Sequence, residues 1–260
     1  MVLTLIFTII GAAFAVAACA VCPVWSWWWL LPLFVMGYVA AVLVYILLLF
    51  SCLALLPKGD PSPRVRRITH VFVRLTLSWA TLLLGYRIRL EGADKLPDTP
   101  FLWVCNHRSA FDPICTVAAV PRDLVFVAKP GVLKIPVIGY LMKKVGFMAI
   151  DRENARNAVA SIKQAAHWIA DVDLSVGIYP EGTRSKTDNL LPFHAGSFKI
   201  AAMAKCPVVV ATVRYQKQFL WLKQAHLQVV DVMDADYVAE NNTAALADRA
   251  VVAISQHLYP

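Results

Sequence analysis

Charged side chains are scarce in this chain, and its first 57 residues contain none. Asp, Glu, Lys and Arg make up 16% of the 260 residues, compared with about 25% in a typical soluble domain. The first charged side chain belongs to Lys58. A stretch of this length without charge is not the surface of an ordinary soluble domain. We therefore expect residues 1–57 to lie in a different environment from the rest of the chain.

Two long apolar runs occupy this uncharged stretch, at residues 1–21 and 30–56. Each reaches the ~20 residues that a helix needs to cross the hydrocarbon layer of a membrane. Pro23 interrupts the helical pattern between them, and the neighbouring tryptophans suit a membrane–water boundary. We predict a membrane-embedded helical hairpin over residues 1–57. The alternatives are a buried helix pair in a soluble protein and a cleaved signal peptide, but no basic residue precedes the first run, as a signal peptide requires.

Basic residues follow the second apolar run, with only one acidic residue among them up to residue 74: Lys58, Arg64, Arg66, Arg67 and Arg74 against Asp60. This excess predicts that the following domain lies on the cytoplasmic side of the membrane. It also suits contact with anionic lipid headgroups. We interpret residues 58–85 as a basic linker and an interfacial helix. The net charge of +8 comes without any nucleic-acid motif, so we expect phospholipid or an acidic acyl carrier as partner, and no nucleic acid.

The sequence lacks the motifs that are typical of several kinds of catalytic centre. The six cysteines lie mostly in apolar runs, and their spacing indicates neither a metal site nor a disulfide framework. No Gly-x-Ser-x-Gly elbow is present, which disfavours a nucleophilic serine. The spacing from His107 to Asp112 is not one of the usual zinc spacings. We therefore predict no metal, no cofactor and no covalent enzyme intermediate.

Short β-rich runs alternate with helical patterns after Gly85. The predicted strands are residues 86–90, 101–105, 124–128, 147–150, 174–179, 208–213 and 226–232, and the clearest helices are residues 155–170, 195–205 and 244–257. Such alternation is typical of an α/β domain whose sheet is largely covered. We predict a mixed sheet flanked by helices over residues 86–260.

A histidine and a carboxylate follow the second predicted strand, where residues 106–113 read Asn-His-Arg-Ser-Ala-Phe-Asp-Pro. Histidine suits proton transfer near neutral pH, so His107 is a candidate general base. A carboxylate bonded to one ring nitrogen would fix the tautomer, which is the role expected of Asp112. Five residues correspond to about 140° of helix rotation, so one regular helix would not align the pair. A turn followed by the first turn of a helix would.

Further polar residues follow other predicted strands. Residues 179–185 read Tyr-Pro-Glu-Gly-Thr-Arg-Ser. Gly182 lets the backbone approach a ligand, Arg184 offers donors for a phosphate, and Glu181 would accept from a hydroxyl or orient the arginine. The alternative is a polar turn with an exposed ion pair, which contributes little. Arg152 would hold an anion or form a structural pair with its neighbouring aspartate, and Lys129 would reach a phosphate as a point charge.

Taken in order, the blocks Asn-His-x4-Asp, Phe-x-x-Ile-Asp-Arg and Pro-Glu-Gly-Thr-Arg resemble the motifs of the glycerolipid acyltransferase family. Its best-known members are the 1-acylglycerol-3-phosphate acyltransferases. The resemblance runs from about residue 71 to residue 215. It implies that His107 is the general base and Asp112 its partner. It also implies that the acceptor's glycerol phosphate is bound by Lys129, Arg152, Glu181, Gly182, Thr183 and Arg184.

The resemblance implies transfer of a fatty acyl group from acyl-CoA or acyl carrier protein to lysophosphatidic acid, giving phosphatidic acid at the bilayer. The alternative is the same acyl transfer to another lyso-lipid acceptor, such as a lyso-amino-acid lipid. A third hypothesis is a non-enzymatic lipid-binding protein. One block departs from the family pattern. Residues 206–210 read Cys-Pro-Val-Val-Val, where the family has a second proline in the last position. Donor preference therefore stays open.

Overall fold

The computed structural model describes residues 2–21, 27–55, 63–128, 131, 134, 148–149, 155–185, 187, 189–218 and 221–258. The chain divides into two compact units, Met1–Pro61 and Ser62–Pro260. The first unit contains the uncharged apolar runs. The second contains the predicted interfacial helix and the predicted α/β domain.

The first unit is a pair of packed helices, α1 (Val2–Val21) and α2 (Leu30–Leu55), with a 3₁₀ turn at Trp27–Trp29 before α2. The ring of Phe7 on α1 meets Tyr38 and Tyr45 of α2 edge-on. The predicted helical hairpin is confirmed. Both helices are long and apolar enough to cross a membrane, and only 22% and 11% of their most apolar windows are buried. Apolar side chains thus cover the outside of the hairpin, which favours lipid over water as its surroundings.

The second unit contains one seven-stranded sheet within its described residues. Its strands are β1 (Tyr86–Glu91), β2 (Leu102–Cys105), β3 (Leu124–Ala128), β4 (Met148–Ala149), β5 (Ser175–Ile178), β6 (Val208–Lys217) and β7 (Lys223–Met233). They lie in the order β1-β7-β6-β2-β5-β3-β4. Among these described strands, only the β6–β7 pair is antiparallel. The predicted mixed sheet flanked by helices is confirmed.

Helices cover both faces of this sheet. They are α3 (Pro63–Leu83), α4 (Asp112–Ala119), α5 (Ala155–Ala170), α6 (Lys199–Ala204), α7 (Ala235–Glu240) and α8 (Thr243–Leu258), with 3₁₀ turns at Ala93–Lys95 and Ala195–Phe198. Helix α3 begins at Pro63, well before the apolar segment at residue 71. Proline is suited to the first turn of a helix because its missing N–H needs no partner there.

Strand β2 lies between two hydrophobic cores. Leu102 and Val104 join the core beneath α5, α6 and α8, whereas Trp103 and Cys105 join the core beneath α3 and α4. This alternation follows from the two-residue period of a strand. All four residues of β2 are buried, so the strand is a rigid base for the loop that follows it.

The directions of the strands bring three loops to one edge of the sheet. Strands β2, β5 and β6 run parallel and end at this edge, and β7 and β1 begin there. The loop after β2 carries His107, the loop after β5 carries Glu181, and the β6–β7 hairpin carries Lys217 and Lys223. Ligands of open α/β sheets commonly bind at the carboxyl ends of the strands.

Candidate active site

The side chains of His107 and Asp112 are in contact at this edge. The imidazole Nδ1 lies 2.8 Å from Asp112 Oδ2. Asp112 begins α4, and a backbone hydrogen bond from its N–H to the Ser109 carbonyl closes the turn that leads into the helix. The strand, turn and helix together bring the two side chains within reach. The bond at Nδ1 leaves Nε2 as the nitrogen that can accept a proton, and the His107 side chain is still 18% exposed.

Asp112 is fully buried and accepts four hydrogen bonds. Besides the His107 ring, its Oδ2 accepts from the backbone N–H of Arg108 at 2.7 Å and of Ser109 at 2.8 Å. Its Oδ1 accepts from the Tyr215 hydroxyl at 2.6 Å. A buried charge is tolerated when its oxygens are bonded in this way. The carboxylate is therefore held in one orientation, with one oxygen directed at the imidazole.

No local sequence pattern indicates Tyr215, which lies 103 residues from Asp112. It stands near the end of β6, on the strand next to β2. Burial, followed by the nearby charge of Asp112, raises the pKa of the Tyr215 phenol. The hydroxyl therefore remains protonated at neutral pH and acts as a donor to the carboxylate.

Replacing Tyr215 by phenylalanine is expected to lower kcat about tenfold, because Asp112 loses the donor that fixes the orientation of its carboxylate toward the imidazole. Without this donor the carboxylate holds the imidazolium more strongly, so the acidic limb of the pH–rate profile should move to higher pH. Steady-state kinetics across pH would measure both effects. Tyr237→Phe on α7, where the ring packs under Arg249, is the matched control. A profile that stays in place would mean that Tyr215 acts only by packing.

The imidazole of His107 lies on a stack of aromatic rings. Its centroid is 4.2 Å from that of Tyr179, with 16° between the planes, and Tyr179 in turn stacks on Phe126 at 5.1 Å. Room for the Phe126 ring comes from Gly177 of β5, because a Cβ there would overlap the ring. The stack fixes the plane of the imidazole from below, in addition to the bond at Nδ1.

The loop after β5 holds the main chain of His107 on both sides. Glu181 accepts from the His107 N–H through Oε1 at 2.6 Å and from the Leu191 N–H through Oε2 at 3.1 Å. The Ser185 N–H donates to the His107 carbonyl at 2.8 Å. Burial raises the pKa of the Glu181 carboxyl, and the two N–H donors oppose that rise. Both Glu181 oxygens thus have backbone donors, and its role in binding the acceptor stays a prediction.

The other predicted acceptor ligands divide into two groups. Gly182 adopts a positive φ of 70°, which glycine allows without strain. That turn presents Thr183 and Arg184 as exposed side chains beside the His107 loop. Lys129 and Arg152 lie outside the described residues. Arg184 thus lies close in sequence to Ser185, which contacts the His107 carbonyl, and its role in phosphate binding stays a prediction.

Asn106 ties the end of β2 to β6. Its Oδ1 accepts from the Val213 N–H at 2.8 Å, and its Nδ2 donates to the Val213 carbonyl at 3.1 Å. The side chain is buried. Its amide forms the two hydrogen bonds to β6 that a backbone amide would form if β2 continued. The sequence motif includes this asparagine, but its role depends on the pairing of β2 with β6, which the motif does not indicate.

Nucleophilic catalysis by a neighbouring side chain finds no support in the geometry. Burial raises the pKa of the Cys115 thiol to about 12, and it raises that of Cys105 well above its usual range. Both remain thiols at neutral pH, and the thiol is a poor nucleophile. The Ser109 hydroxyl accepts from the Phe111 N–H at 3.2 Å. His107 is left as the group suited to activating a substrate hydroxyl.

Known proteins resemble this chain in sequence and in fold. The family model described as Acyltransferase matches residues 87–214. A 1-acyl-sn-glycerol-3-phosphate acyltransferase from Cocos nucifera is 36% identical over 152 residues, covering 57% of this chain and 48% of the relative. The alpha form from Mus musculus is 28% identical over 206 residues, covering 75% and 72%. The crystal structure of the 1-acyl-sn-glycerophosphate acyltransferase PlsC from Thermotoga maritima has a TM-score of 0.66 at 18% identity, covering 83% of this chain and 87% of that one.

The matched region contains most of the site described above. It includes His107, Asp112 and the loop of Glu181, and it ends one residue before Tyr215. The chain spans about half the length of the plant relatives it matches, at 48%, 44% and 42%. The likeness to the solved structure supports the same fold.

Proposed function

The chain belongs to the glycerolipid acyltransferase family, and on that premise we propose that it acylates lysophosphatidic acid to phosphatidic acid. The acyl donor is a thioester, acyl-CoA or acyl carrier protein. The observation that carries the proposal is the contact of His107 Nδ1 with the buried carboxylate of Asp112. It leaves Nε2 of a partly exposed imidazole at the carboxyl ends of the strands, where ligands of α/β sheets commonly bind.

The reaction follows from this arrangement. His107 Nε2 takes the proton from the free hydroxyl of the acceptor as that oxygen attacks the thioester carbonyl. A C–O ester bond forms, the C–S bond breaks, and the imidazolium returns the proton to the departing sulfur. Asp112 stabilises the imidazolium between these two steps. A positioned general base contributes about 10²–10⁴-fold to the rate.

Acceptor binding is assigned to the loop after β5. Arg184 offers a planar set of donors that matches a phosphate. It lies three residues beyond Glu181, whose carboxylate holds the His107 backbone. The acceptor phosphate and the base are thus positioned by the same loop, and such positioning can matter as much as proton transfer.

The acceptor is tested with purified chain, radiolabelled acyl-CoA and a panel of lyso-lipids. Lysophosphatidic acid is expected to be acylated, and lysophospholipids with larger headgroups much more slowly. Turnover of a lyso-amino-acid lipid in place of lysophosphatidic acid would move the proposal to that acceptor. No turnover of any acceptor would refute the proposed acyltransferase activity.

Arg184→Ala is expected to raise the acceptor KM about tenfold or more, because a charge-assisted bond to phosphate is lost. The KM for the acyl donor should stay the same. Arg89→Ala is the matched control, since Arg89 is 66% exposed and pairs with Glu91 on β1. Unchanged kcat and acceptor KM in the Arg184 variant would remove its role in phosphate binding.

We also assign the chain to a membrane, with its catalytic unit on the cytoplasmic side. The apolar surfaces of α1 and α2 and the basic residues after them support this assignment. Deleting residues 1–57 is expected to release much of the protein from sedimenting vesicles. Circular dichroism would show whether the truncated chain keeps its fold. Folded protein that still sediments completely with lipid would place the anchor elsewhere.

A further inference from the structure

A basic recess lies beside the candidate active site, on the side away from Arg184. It has a volume of about 250 Å³ and is lined by Tyr86, Ser109, Tyr215, Gln216, Lys217 and Lys223. This is below the roughly 300–1,000 Å³ of sites that enclose a whole drug-sized ligand. The recess therefore fits one end of a longer molecule.

Two lysines face each other at this recess. Lys217 of β6 and Lys223 of β7 are directly opposite in the antiparallel register. Like charges in this position destabilise a sheet. Among the residues that the structure describes, neither ammonium has a carboxylate partner. The Lys223 ammonium lies 5.6 Å from the centroid of the Tyr86 ring, a cation–π contact that keeps it near the recess. A bound phosphate would remove the repulsion between the two charges.

The recess shares its wall with the catalytic side chains. The Ser109 N–H and the Tyr215 hydroxyl both donate to Asp112. Lys217 is two residues beyond Tyr215, about 7 Å along the strand. In the sheet order, β6 and β7 lie on one side of β2, and β5 with the Arg184 loop lies on the other. Cationic groups thus flank His107 on two sides.

We propose that Lys217 and Lys223 bind the phosphate groups of the acyl donor, acyl-CoA, and hold its thioester beside His107. The inference rests on the proposed function, which requires two anionic substrates at one base. The acceptor phosphate is assigned to Arg184, so the donor phosphates need separate cations. A bilayer headgroup would also attract two lysines. Binding a headgroup, however, would not require a recess that is lined in part by the loop of His107.

The test compares two acyl donors on the full-length chain. Acyl-CoA carries the phosphates, and the matching S-acyl-pantetheine lacks them. In Lys217→Ala/Lys223→Ala, the KM for acyl-CoA is expected to rise about 10- to 100-fold, while the KM values for acyl-pantetheine and lysophosphatidic acid stay unchanged. Lys217→Arg/Lys223→Arg should keep most of the affinity. Lys95→Ala/Lys163→Ala removes two exposed lysines elsewhere and is the matched control.

Three outcomes would overturn the inference. One is an unchanged KM for acyl-CoA, and another is an equal rise for acyl-pantetheine. The third is a rise confined to lysophosphatidic acid or to vesicle binding, which would assign the lysines to the acceptor or to lipid headgroups.

Equilibrium dialysis with CoA and with pantetheine separates this inference from the proposed function. If the wild-type chain acylates nothing but binds CoA, and the double alanine variant loses that binding, the phosphate site stands and the reaction does not. A wild-type chain that binds CoA no better than pantetheine refutes the phosphate site, whatever its activity.

Discussion

His107→Ala is expected to lower kcat for acyl transfer about 10²–10⁴-fold, the contribution of a positioned general base. The side chain is partly exposed and its main chain is held by Glu181 and Ser185. The variant should therefore fold, and its melting temperature should change little. Single-turnover kinetics with saturating acceptor would measure the loss in the chemical step.

The chain provides a close control for this experiment. His167 and Asp171 form the same type of contact, with Nδ1 to Oδ2 at 2.7 Å, at the C-terminal end of α5. Their side chains are 48% and 63% exposed, and exposed pairs contribute little. His167→Ala should leave kcat and both KM values as in the wild type. Full activity of His107→Ala would remove the mechanism and revive a non-enzymatic lipid-binding role.

Asp112→Asn is expected to lower kcat about 10²–10³-fold, because the neutral amide cannot stabilise the imidazolium. The substitution keeps the shape of the side chain. Its oxygen can still accept from the Arg108 and Ser109 N–H groups, and its NH₂ can donate to the Tyr215 oxygen after the hydroxyl rotates. The fold should persist, so the measured loss reports mainly the missing charge.

Two further measurements on this variant complete the test: the pH dependence of kcat and the KM for acyl-CoA. Without the charged carboxylate the imidazolium is less favoured, so the acidic limb of the pH–rate profile should move to lower pH while kcat on the plateau stays low. The KM for acyl-CoA should not change, since Asp112 is fully buried. Asp171→Asn, just after the end of α5, is the control. Equal activities of Asp112→Asn and wild type would show that the imidazole works without a charged partner.

The sequence predicts the position of each strand that the structure describes, because apolar and β-branched residues mark buried strands strongly. The predicted lengths of β6 and β7 are too short. Strand β6 continues to Lys217 rather than to residue 213, and β7 begins at Lys223 rather than at residue 226. The added residues are largely polar and partly exposed, so the apolar signal fades although the strand continues. Four of the residues that line the basic recess belong to these extensions, so the apolar pattern does not indicate the recess: Tyr215, Gln216, Lys217 and Lys223.

The local part of the site was also accessible from the sequence. His107 and Asp112 lie in one loop, and the need for a turn before the helix follows from their spacing. The partners of that pair come from distant strands. Tyr215 reaches Asp112 only because β6 lies beside β2, and Glu181 reaches the His107 N–H only because β5 lies on the other side. Hydrophobic periodicity predicts strands but not their order, so these contacts required the structure.

The environment of the His107 ring has a consequence for the rate of each catalytic cycle. One face is covered by Tyr179, Nδ1 is bound to Asp112, and the backbone is held on both sides of the residue. A half-turn of the ring about its Cβ–Cγ bond would break the Asp112 contact, so the two nitrogens do not exchange places. The entropy of ordering the base is lost once, during folding. Little reorganisation is then left for the moment when the substrate oxygen gives up its proton.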